Sequence, residues 1–225
     1  MITVANASFY GGDKNIKGIV DQPKYDGVEY KLFTNRPELT KGTVWEGIYS
    51  ETATPRLSAR RIKTMIHEYV PDTNYWFWLD SNMKIQVDPN RLVNFYLEKF
   101  DICLMPHPER NNWYEEAGIV TGRLDDAEKV KTLIHKYYSE GFVPTTLYET
   151  GCLLRRNTKE IREFNKTWWN EVYSGSIRDQ LSFPYSAWKH GLAVNTFAGT
   201  NSVNELRKKN KPYLPQWDDV IREWN

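Results

Sequence analysis

Tyr75-Trp76-Phe77-Trp78-Leu79-Asp80-Ser81-Asn82 is the stretch of this chain that decides its fold. Its five apolar residues are too few for an independent helix and are rich in aromatic side chains, which predicts a strand buried on both faces. Asp80 then lies at the carboxyl end of that strand. In open α/β sheets ligands bind outside the carboxyl ends of the strands, and an acidic turn there can hold a metal-bound diphosphate. The alternative is that Asp80, Ser81 and Asn82 only turn the chain after the strand.

Length and composition indicate an ordinary globular protein. The 225 residues can bury one substantial core and no linker or internal repeat divides them, so we expect a single domain over residues 1–225. A formal net charge of +1 argues against a large duplex-binding surface. Nine Trp and fourteen Tyr modestly favour a carbohydrate ligand, because sugar rings stack on such side chains. No segment approaches the roughly 20 apolar residues of a membrane span and no secretory leader is visible, so we expect a soluble, cytoplasmic protein.

Apolar runs alternate with helical periodicities along the chain, which predicts an α/β fold: a three-layer sandwich with a mostly parallel central sheet. The predicted strands are residues 2–7, 29–33, 43–48, 75–79, 101–105, 152–155 and 193–197. The predicted helices are residues 56–69, residues 88–100 with Asp88 as N-cap, residues 125–138, a helix capped by Asn157 with Glu160, and a helix capped by Ser176. Cys103 and Cys152 lie in apolar stretches without C-x-x-C spacing, so we expect two buried, reduced thiols.

The first of these helices carries a basic stripe, defined by Arg56, Arg60, Lys63 and His67. Their spacing of i, i+4, i+7 and i+11 stacks the four side chains along one side of the helix. A row of cations beside the Asp80 turn could neutralise a diphosphate leaving group. The stripe lies largely opposite the apolar face, however, so a solvated basic face is the alternative.

Three further segments combine polar side chains with a predicted strand end or helix start. His107 and Arg110 follow the strand that ends at residue 105, where a histidine could bind a phosphate or a sugar hydroxyl. Glu149 precedes Gly151, which allows the backbone to approach a ligand closely. Asp179 and Gln180 open the helix after Ser176. There a carboxylate either completes a capping box or takes a proton from an acceptor, with Gln180 on a sugar hydroxyl.

Read together, these segments resemble one family: the glycosyltransferase-like domain of plant mucilage and pollen-tube proteins and of many bacterial and phage proteins. The resemblance covers roughly residues 56–190, and Phe9-Tyr10-Gly11-Gly12 and Phe33-Thr34-Asn35 extend it to the first two strand ends. Several separate motifs in register are far more specific than any one of them. The motifs are Ala59-Arg60-Arg61-Ile62-Lys63 with His67, Trp78-Leu79-Asp80, His107-Pro108-x-Arg110, Tyr114-Glu115-Glu116-Ala117, Tyr148-Glu149-Thr150-Gly151, Arg155-Arg156, Trp168-Trp169 and Arg178-Asp179-Gln180-Leu181-Ser182-Phe183.

The resemblance implies a GT-A fold and transfer of a sugar from a nucleoside-diphosphate sugar. Mg²⁺ or Mn²⁺ would be held by Asp80 and Asn82, although the motif here reads Asp-Ser-Asn, so the second ligand would be a neutral amide oxygen. The implied roles of the other residues are as follows: Asn6 and Asn35 at the nucleotide, Arg60 and Lys63 at the phosphates, His107 and Arg110 at the donor sugar, and Glu149, Asp179 and Gln180 as catalytic residues on the acceptor side.

Two other functions remain open from the sequence. One is a carbohydrate-binding protein that keeps the fold without catalysis, which the aromatic excess and the imperfect acidic motif suggest. The other is a nucleotidyl or phosphoryl transferase, since carboxylates at strand ends serve that chemistry as well. The acceptor is equally open: a glycan, a protein, or a modified DNA base, and nucleic acid enters only as such an acceptor.

Overall fold

The central sheet contains the strand predicted from the aromatic run. A computed structural model describes residues 1–11, 19–51, 54–107, 113–121, 127–144 and 146–197, and all structural statements concern these residues. Within them, seven strands form one sheet in the order β3-β2-β1-β4-β6-β5-β7. The strands are β1 (Ile2–Ala7), β2 (Val28–Thr34), β3 (Glu46–Tyr49), β4 (Tyr75–Leu79), β5 (Ile102–Pro106), β6 (Tyr148–Arg156) and β7 (Asn195–Thr196).

The strand directions bring the predicted site segments to one edge of the sheet. β1, β2, β3 and β4 run parallel to one another, whereas β6 runs antiparallel to both of its neighbours, β4 and β5. The amino end of β6 therefore lies at the same edge as the carboxyl ends of β1, β4 and β5. The expected α/β sandwich with a mostly parallel sheet is confirmed.

Helices cover both faces of the sheet. Trp76 and Trp78 of β4 face one helical layer, where they pack with Ile62, Phe164 and Phe183. Phe77 and Leu79 face the other layer, where the third helix contributes Leu92 and Tyr96 among others. The helices are α1 (Pro55–Thr64), α2 (Ile66–Tyr69), α3 (Pro89–Tyr96), α4 (Trp113–Thr121), α5 (Ala127–Ser139), α6 (Lys159–Ser174) and α7 (Asp179–Lys189), with a 3-10 turn at Pro37–Thr40.

The helix predicted over residues 56–69 is in fact two helices. α1 ends at Thr64, and Met65 takes a non-helical φ of −98° and ψ of 30° before α2 begins. The hydroxyl of Thr64 donates to the carbonyl of Arg60 at 2.9 Å, a back-bond that bends helices because it competes with the backbone ladder. α3 also ends earlier than predicted, at Tyr96 rather than near residue 100.

Two predicted helix caps are wrong. Thr158, not Asn157, caps α6: its hydroxyl accepts from the N–H of Ile161 at 3.2 Å, while Asn157 donates to the carbonyls of Pro71 and Thr73. α7 begins at Asp179 itself, with Arg178 at the N-cap position. Ser176 instead accepts a hydrogen bond from the N–H of Arg178 at 3.0 Å.

Several smaller predictions have clear outcomes. β1 and β4 have the predicted bounds, whereas β6 starts four residues earlier than predicted and so includes Glu149 and Gly151. Cys103 and Cys152 are buried free thiols, as expected. No helix in the described ranges has both the length and the apolar character needed to cross a membrane. The single domain over 1–225 stays a prediction, and the basic run Arg207-Lys208-Lys209 lies outside the described residues.

The Thr158 cap generates a stability prediction. Replacing Thr158 with Ala removes the oxygen that accepts from Ile161, so the free energy of unfolding should fall by about 1 kcal/mol. Thr158→Ser keeps the oxygen and serves as the matched control. Urea denaturation of both variants measures the effect, and an Ala variant as stable as the Ser variant would contradict the assignment of this cap.

Candidate functional site

An open cavity of about 580 Å³ lies at the carboxyl edge of the sheet. β1 ends in it with Asn6, and the turn after β4 contributes Ser81 and Asn82. The first turns of α1 contribute Arg56 and Arg60. Its remaining walls are mainly apolar and aromatic: Ala7, Ser8, Phe9, Tyr10, Ile19, Val20, Pro55 and Ala59. The cavity thus joins two arginines to an apolar surface, at the edge where α/β sheets bind ligands.

Asp80 is fixed beside this cavity by the strand that precedes it. Its backbone N–H donates to the carbonyl of Gly151 at 2.7 Å, and the indole N–H of Trp78 donates to Oδ1 at 2.8 Å. The side chain is 36% exposed, so the carboxylate remains open to a ligand.

Asp179 is the centre of a buried charge cluster, which we define as Arg60, Lys63, Thr150 and Asp179. Lys63 Nζ lies 2.7 Å from Asp179 Oδ2 and 3.0 Å from Thr150 Oγ1. Thr150 donates its hydroxyl proton to Asp179 Oδ2 at 2.9 Å, and Arg60 Nε lies 3.2 Å from Asp179 Oδ1. The side chains of Lys63 and Asp179 are each only 1% exposed.

The basic stripe is therefore not a solvated face. Arg60 and Lys63 turn toward carboxylates supplied by α7 and by the turn after β4, and His67 is buried as well. Only Arg56, at the start of the stripe, is exposed, and it lines the cavity. Helical spacing alone could not show this, because the covering elements come from distant parts of the chain.

The charge cluster fixes the ionisation of Asp179. Burial alone would raise the pKa of this carboxyl, but the positive charges of Arg60 and Lys63 and the hydrogen bonds from Lys63 and Thr150 hold it well below its usual range. Burial lowers the pKa of Arg60, and the charges of Asp179 and Asp80 reverse this and raise it above its ordinary value. Asp179 is thus ionised at neutral pH and, for the same reason, a weak proton acceptor.

A second buried hydrogen-bond network, formed by Arg155 and Trp168, contacts the backbone of Lys63 and of Asp179. Arg155 is fully buried, donates to the backbone carbonyl of Lys63 at 2.7 Å and to Asn165 Oδ1 at 2.5 Å, and lies between the rings of Trp76 and Trp168. Burial lowers the pKa of Arg155 to about 9, which leaves the guanidinium charged at neutral pH. The indole N–H of Trp168 donates to the backbone carbonyl of Asp179 at 3.0 Å. Together these contacts hold α1 and α7 in register.

Thr150, Arg155 and Trp168 were not predicted to support the site. Each belongs to a motif quoted from the sequence, but residue type gave no reason to separate them from core or turn residues. Glu116 was named from the sequence only as part of the motif Tyr114-Glu115-Glu116-Ala117. It is buried, and Arg178 Nε lies 3.2 Å from its Oε1, so it ties α4 to the start of α7.

The remaining predicted site residues have four different outcomes. Asn35 does not line the cavity: its amide donates to the carbonyl of Tyr10 at 2.8 Å and accepts from its N–H at 2.9 Å, so it positions Tyr10 there. Glu149 and Gln180 are buried near the cluster in sequence, one residue from Thr150 and Asp179 respectively. His107 follows β5 and is buried, and its backbone N–H donates to the carbonyl of Leu147. Arg110 lies outside the described residues.

Comparison with known proteins identifies the family of this chain. The family model described as "TOD1/MUCI70, glycosyltransferase-like domain" matches residues 44–209, which include the whole charge cluster and Asp80. The chain belongs to the TOD1/MUCI70 glycosyltransferase-like family. The resemblance predicted from the sequence is confirmed, and with it the assignment to a glycosyltransferase-like family of transferases.

Two proteins from Arabidopsis thaliana are similar to part of this chain. The protein named alkaline ceramidase TOD1 is 26% identical over 137 residues, which cover 55% of this chain and 29% of that protein. The protein named probable hexosyltransferase MUCI70 is 27% identical over 134 residues, which cover 54% of this chain and 23% of that protein. The matched part is therefore less than a third of the length of either relative.

The described residues fit a divalent cation poorly. Of the two predicted ligands, Asp80 already receives the Trp78 N–H on Oδ1, and Lys63 Nζ lies 3.7 Å from the same oxygen. Asn82 offers only a neutral amide. Among the described residues no three His, Cys, Asp or Glu side chains are grouped so that they could hold a metal ion. One free carboxylate oxygen beside a fixed ammonium group is a weak donor set for Mg²⁺ or Mn²⁺.

The burial of Asp179 generates a prediction about stability. Asp179→Asn removes the carboxylate 2.7 Å from the buried Lys63 and leaves only that of Asp80, at 3.7 Å, so the free energy of unfolding at pH 7 should fall by about 3 to 5 kcal/mol. The same change at an exposed ion pair, Glu163→Gln opposite Lys166, should leave stability essentially unchanged. Chemical denaturation measures both.

The pH dependence follows from the lowered pKa of Asp179. A group whose pKa is lower in the folded state contributes stability above its unfolded pKa, which is near 3.9 for Asp, and loses it as the pH falls further. The stability difference between the wild type and Asp179→Asn should therefore be full at neutral pH and shrink below about pH 4. A difference that is independent of pH would show that Asp179 is not the ionised member of the cluster.

Proposed function

We propose that this protein is a glycosyltransferase that moves a sugar from a nucleoside-diphosphate sugar to a hydroxyl-bearing acceptor. One observation carries the proposal: a cavity at the carboxyl edge of the sheet combines Arg56 and Arg60 with an aromatic and apolar wall and with Ser81 and Asn82, the two residues that follow Asp80. Arginines bind the diphosphate and the apolar wall suits a nucleoside. Membership of a glycosyltransferase-like family supports the choice of a sugar as the transferred group.

Each part of the donor has a place in this proposal. The nucleoside lies against Asn6, Phe9 and Tyr10, with Asn35 holding Tyr10 in position. The diphosphate lies against Arg56 and Arg60. The sugar lies toward Asp80 and the amino end of β6, with His107, Arg110 and Gln180 assigned to its hydroxyls.

Proton removal from the acceptor is assigned to Glu149. Asp179 was predicted to be catalytic, but a carboxylate held by Arg60 and Lys63 accepts a proton poorly. We therefore assign Asp179 as a positioning residue, which orders the two cations under the diphosphate. Glu149 supplies a carboxylate at the amino end of β6, one residue before Thr150.

A screen of nucleotide sugars tests the proposal. A donor that binds only the folded protein raises its melting temperature by mass action, so one nucleotide sugar of a panel should raise it and its free nucleotide should compete. Incubation of that donor with candidate glycans, proteins and modified DNA should then release nucleoside diphosphate. Binding without turnover would favour a carbohydrate-binding protein, and release of pyrophosphate a nucleotidyl transferase. Fatty acid release from ceramide would favour the activity for which the TOD1 relative is named.

Arg56 provides the clearest test by mutation, because it lines the cavity yet is exposed, so its loss should not affect folding. Arg56→Met should weaken binding of the nucleoside diphosphate by about tenfold or more, the scale of one charge-assisted contact. Arg61→Met is the matched control. Arg61 lies on the same helix but does not line the cavity, and its guanidinium pairs with Glu68 at a distance of 3.6 Å. Titration calorimetry that finds equal affinities for the two variants would remove Arg56 from the site.

A further inference from the structure

The ammonium group of Lys63 is held as a fixed cation beneath the Asp80 turn. A lysine has three N–H donors, and here Nζ faces three oxygens: Asp179 Oδ2 at 2.7 Å, Thr150 Oγ1 at 3.0 Å and Asp80 Oδ1 at 3.7 Å. The side chain is 1% exposed, and it is not part of the cavity wall. Lys63 therefore acts on the site by its charge and not by direct contact with a ligand.

Lys63 occupies the electrostatic role that a divalent cation would have at Asp80. A metal ion that joins an aspartate to a diphosphate neutralises the negative charge of both. At this edge the oxygen Oδ1 of Asp80 is already neutralised from the protein side by Lys63 and the Trp78 N–H. A metal ion on the same carboxylate would be repelled by the ammonium group a few ångströms away.

The charges on the diphosphate side of the site also favour binding without a metal ion. On the diphosphate side, three cations (Arg56, Arg60 and Lys63) stand against two carboxylates (Asp80 and Asp179), which leaves one net positive charge there before any ligand binds; with Glu149, the base proposed for the acceptor side, the sum is zero. Arg56 and Arg60 line the cavity. Lys63 is buried outside the cavity wall and offsets the negative charge of Asp80 and Asp179. The protein thus supplies from its own side chains the positive field that a developing diphosphate leaving group requires.

We propose that this site binds its nucleoside diphosphate and stabilises it as a leaving group without a divalent cation, with Lys63 as the built-in counter-charge of Asp80. The proposal rests on the proposed function, since it presumes a diphosphate in the cavity. It assigns Lys63 as a positioning and electrostatic residue, distinct from the direct phosphate contacts of Arg56 and Arg60.

Titration calorimetry with UDP, GDP, ADP, CDP and dTDP, each in EDTA and in Mn²⁺, tests the proposal on the wild-type protein. The nucleotide that binds should do so with the same affinity, within about twofold, in both conditions. Mn²⁺ alone, followed by electron paramagnetic resonance, should remain in its free form. Binding that requires Mn²⁺, or that Mn²⁺ tightens about tenfold or more, overturns the proposal and leaves the proposed function standing. Absence of binding for every nucleotide in both conditions overturns the proposed function, and this inference with it.

Lys63→Met supplies the complementary arm. Removal of the ammonium group frees the Asp80 carboxylate, so nucleotide affinity in EDTA should fall about tenfold or more and Mn²⁺ should restore part of it. Lys166→Met, at the exposed pair with Glu163 on α6, is the matched control and should bind as the wild type does in both conditions. Because Lys63→Met leaves Asp179 buried with fewer partners, the double variant Lys63→Met/Asp179→Asn, which removes both charges of the pair, provides a second protein for the same titration. Affinity equal to the wild type in EDTA for both Lys63 variants overturns the role of Lys63.

Discussion

The buried ion pair between Lys63 and Asp179 is the constraint on which the rest of the site depends. Two charges removed from water cost several kcal/mol each unless their geometry and their hydrogen bonds are close to ideal. Thr150 meets that need, because its hydroxyl accepts from Lys63 and donates to the same oxygen of Asp179. Three elements must therefore keep one arrangement: α1 carries the lysine, β6 the threonine and α7 the aspartate. The position of Arg60 at the cavity follows, since its Nε is held by the other oxygen of Asp179.

The antiparallel direction of β6 brings Thr150 to the charge cluster. A parallel strand in its place would bring residues from its carboxyl end to the site edge. Reversal of β6 between β4 and β5 brings its amino end there instead, with Thr150 and Gly151 beside the Asp80 turn. Gly151, which has no side chain, leaves room for the Asp80 carboxylate at this point. A Cβ atom there would lie 3.2 Å from Asp80 Oδ2 and 2.7 Å from the end of Met83, so any larger residue would displace the Asp80 carboxylate or the methionine below it.

Sequence patterns predicted those parts of the molecule that depend on local chemistry. The bounds of β4 followed from its aromatic run, and the alternation of strands and helices was enough for the α/β class. The caps at Asn157 and Ser176 were wrong because each side chain has a competing partner at hand: the carbonyls of Pro71 and Thr73 for Asn157, the N–H of Arg178 for Ser176. The burial of Lys63 could not be predicted from helical spacing, since its partners lie 87 and 116 residues further along the chain. Whether Asp179 caps a helix or joins a charge cluster is decided by those same distant contacts.

The extent of the family match divides the proposed site into two parts. Residues 44–209 contain both arginines of the cavity, the charge cluster and Asp80, so the diphosphate side of the site lies within the segment that matches the family. Asn6, Phe9 and Tyr10, which form the proposed nucleoside wall, precede that segment. β1 carries the wall and pairs with β2, Asn35 holds Tyr10 by two hydrogen bonds, and Phe9 packs against the core cluster to which Ile62 of α1 belongs. Under the proposed function, exchange of side chains on this wall would alter which base is accepted, whereas no hydrogen bond or ion pair described for the cluster involves a residue of the wall. The proposed choice of nucleotide and the proposed activation of its diphosphate are thus assigned to different residues.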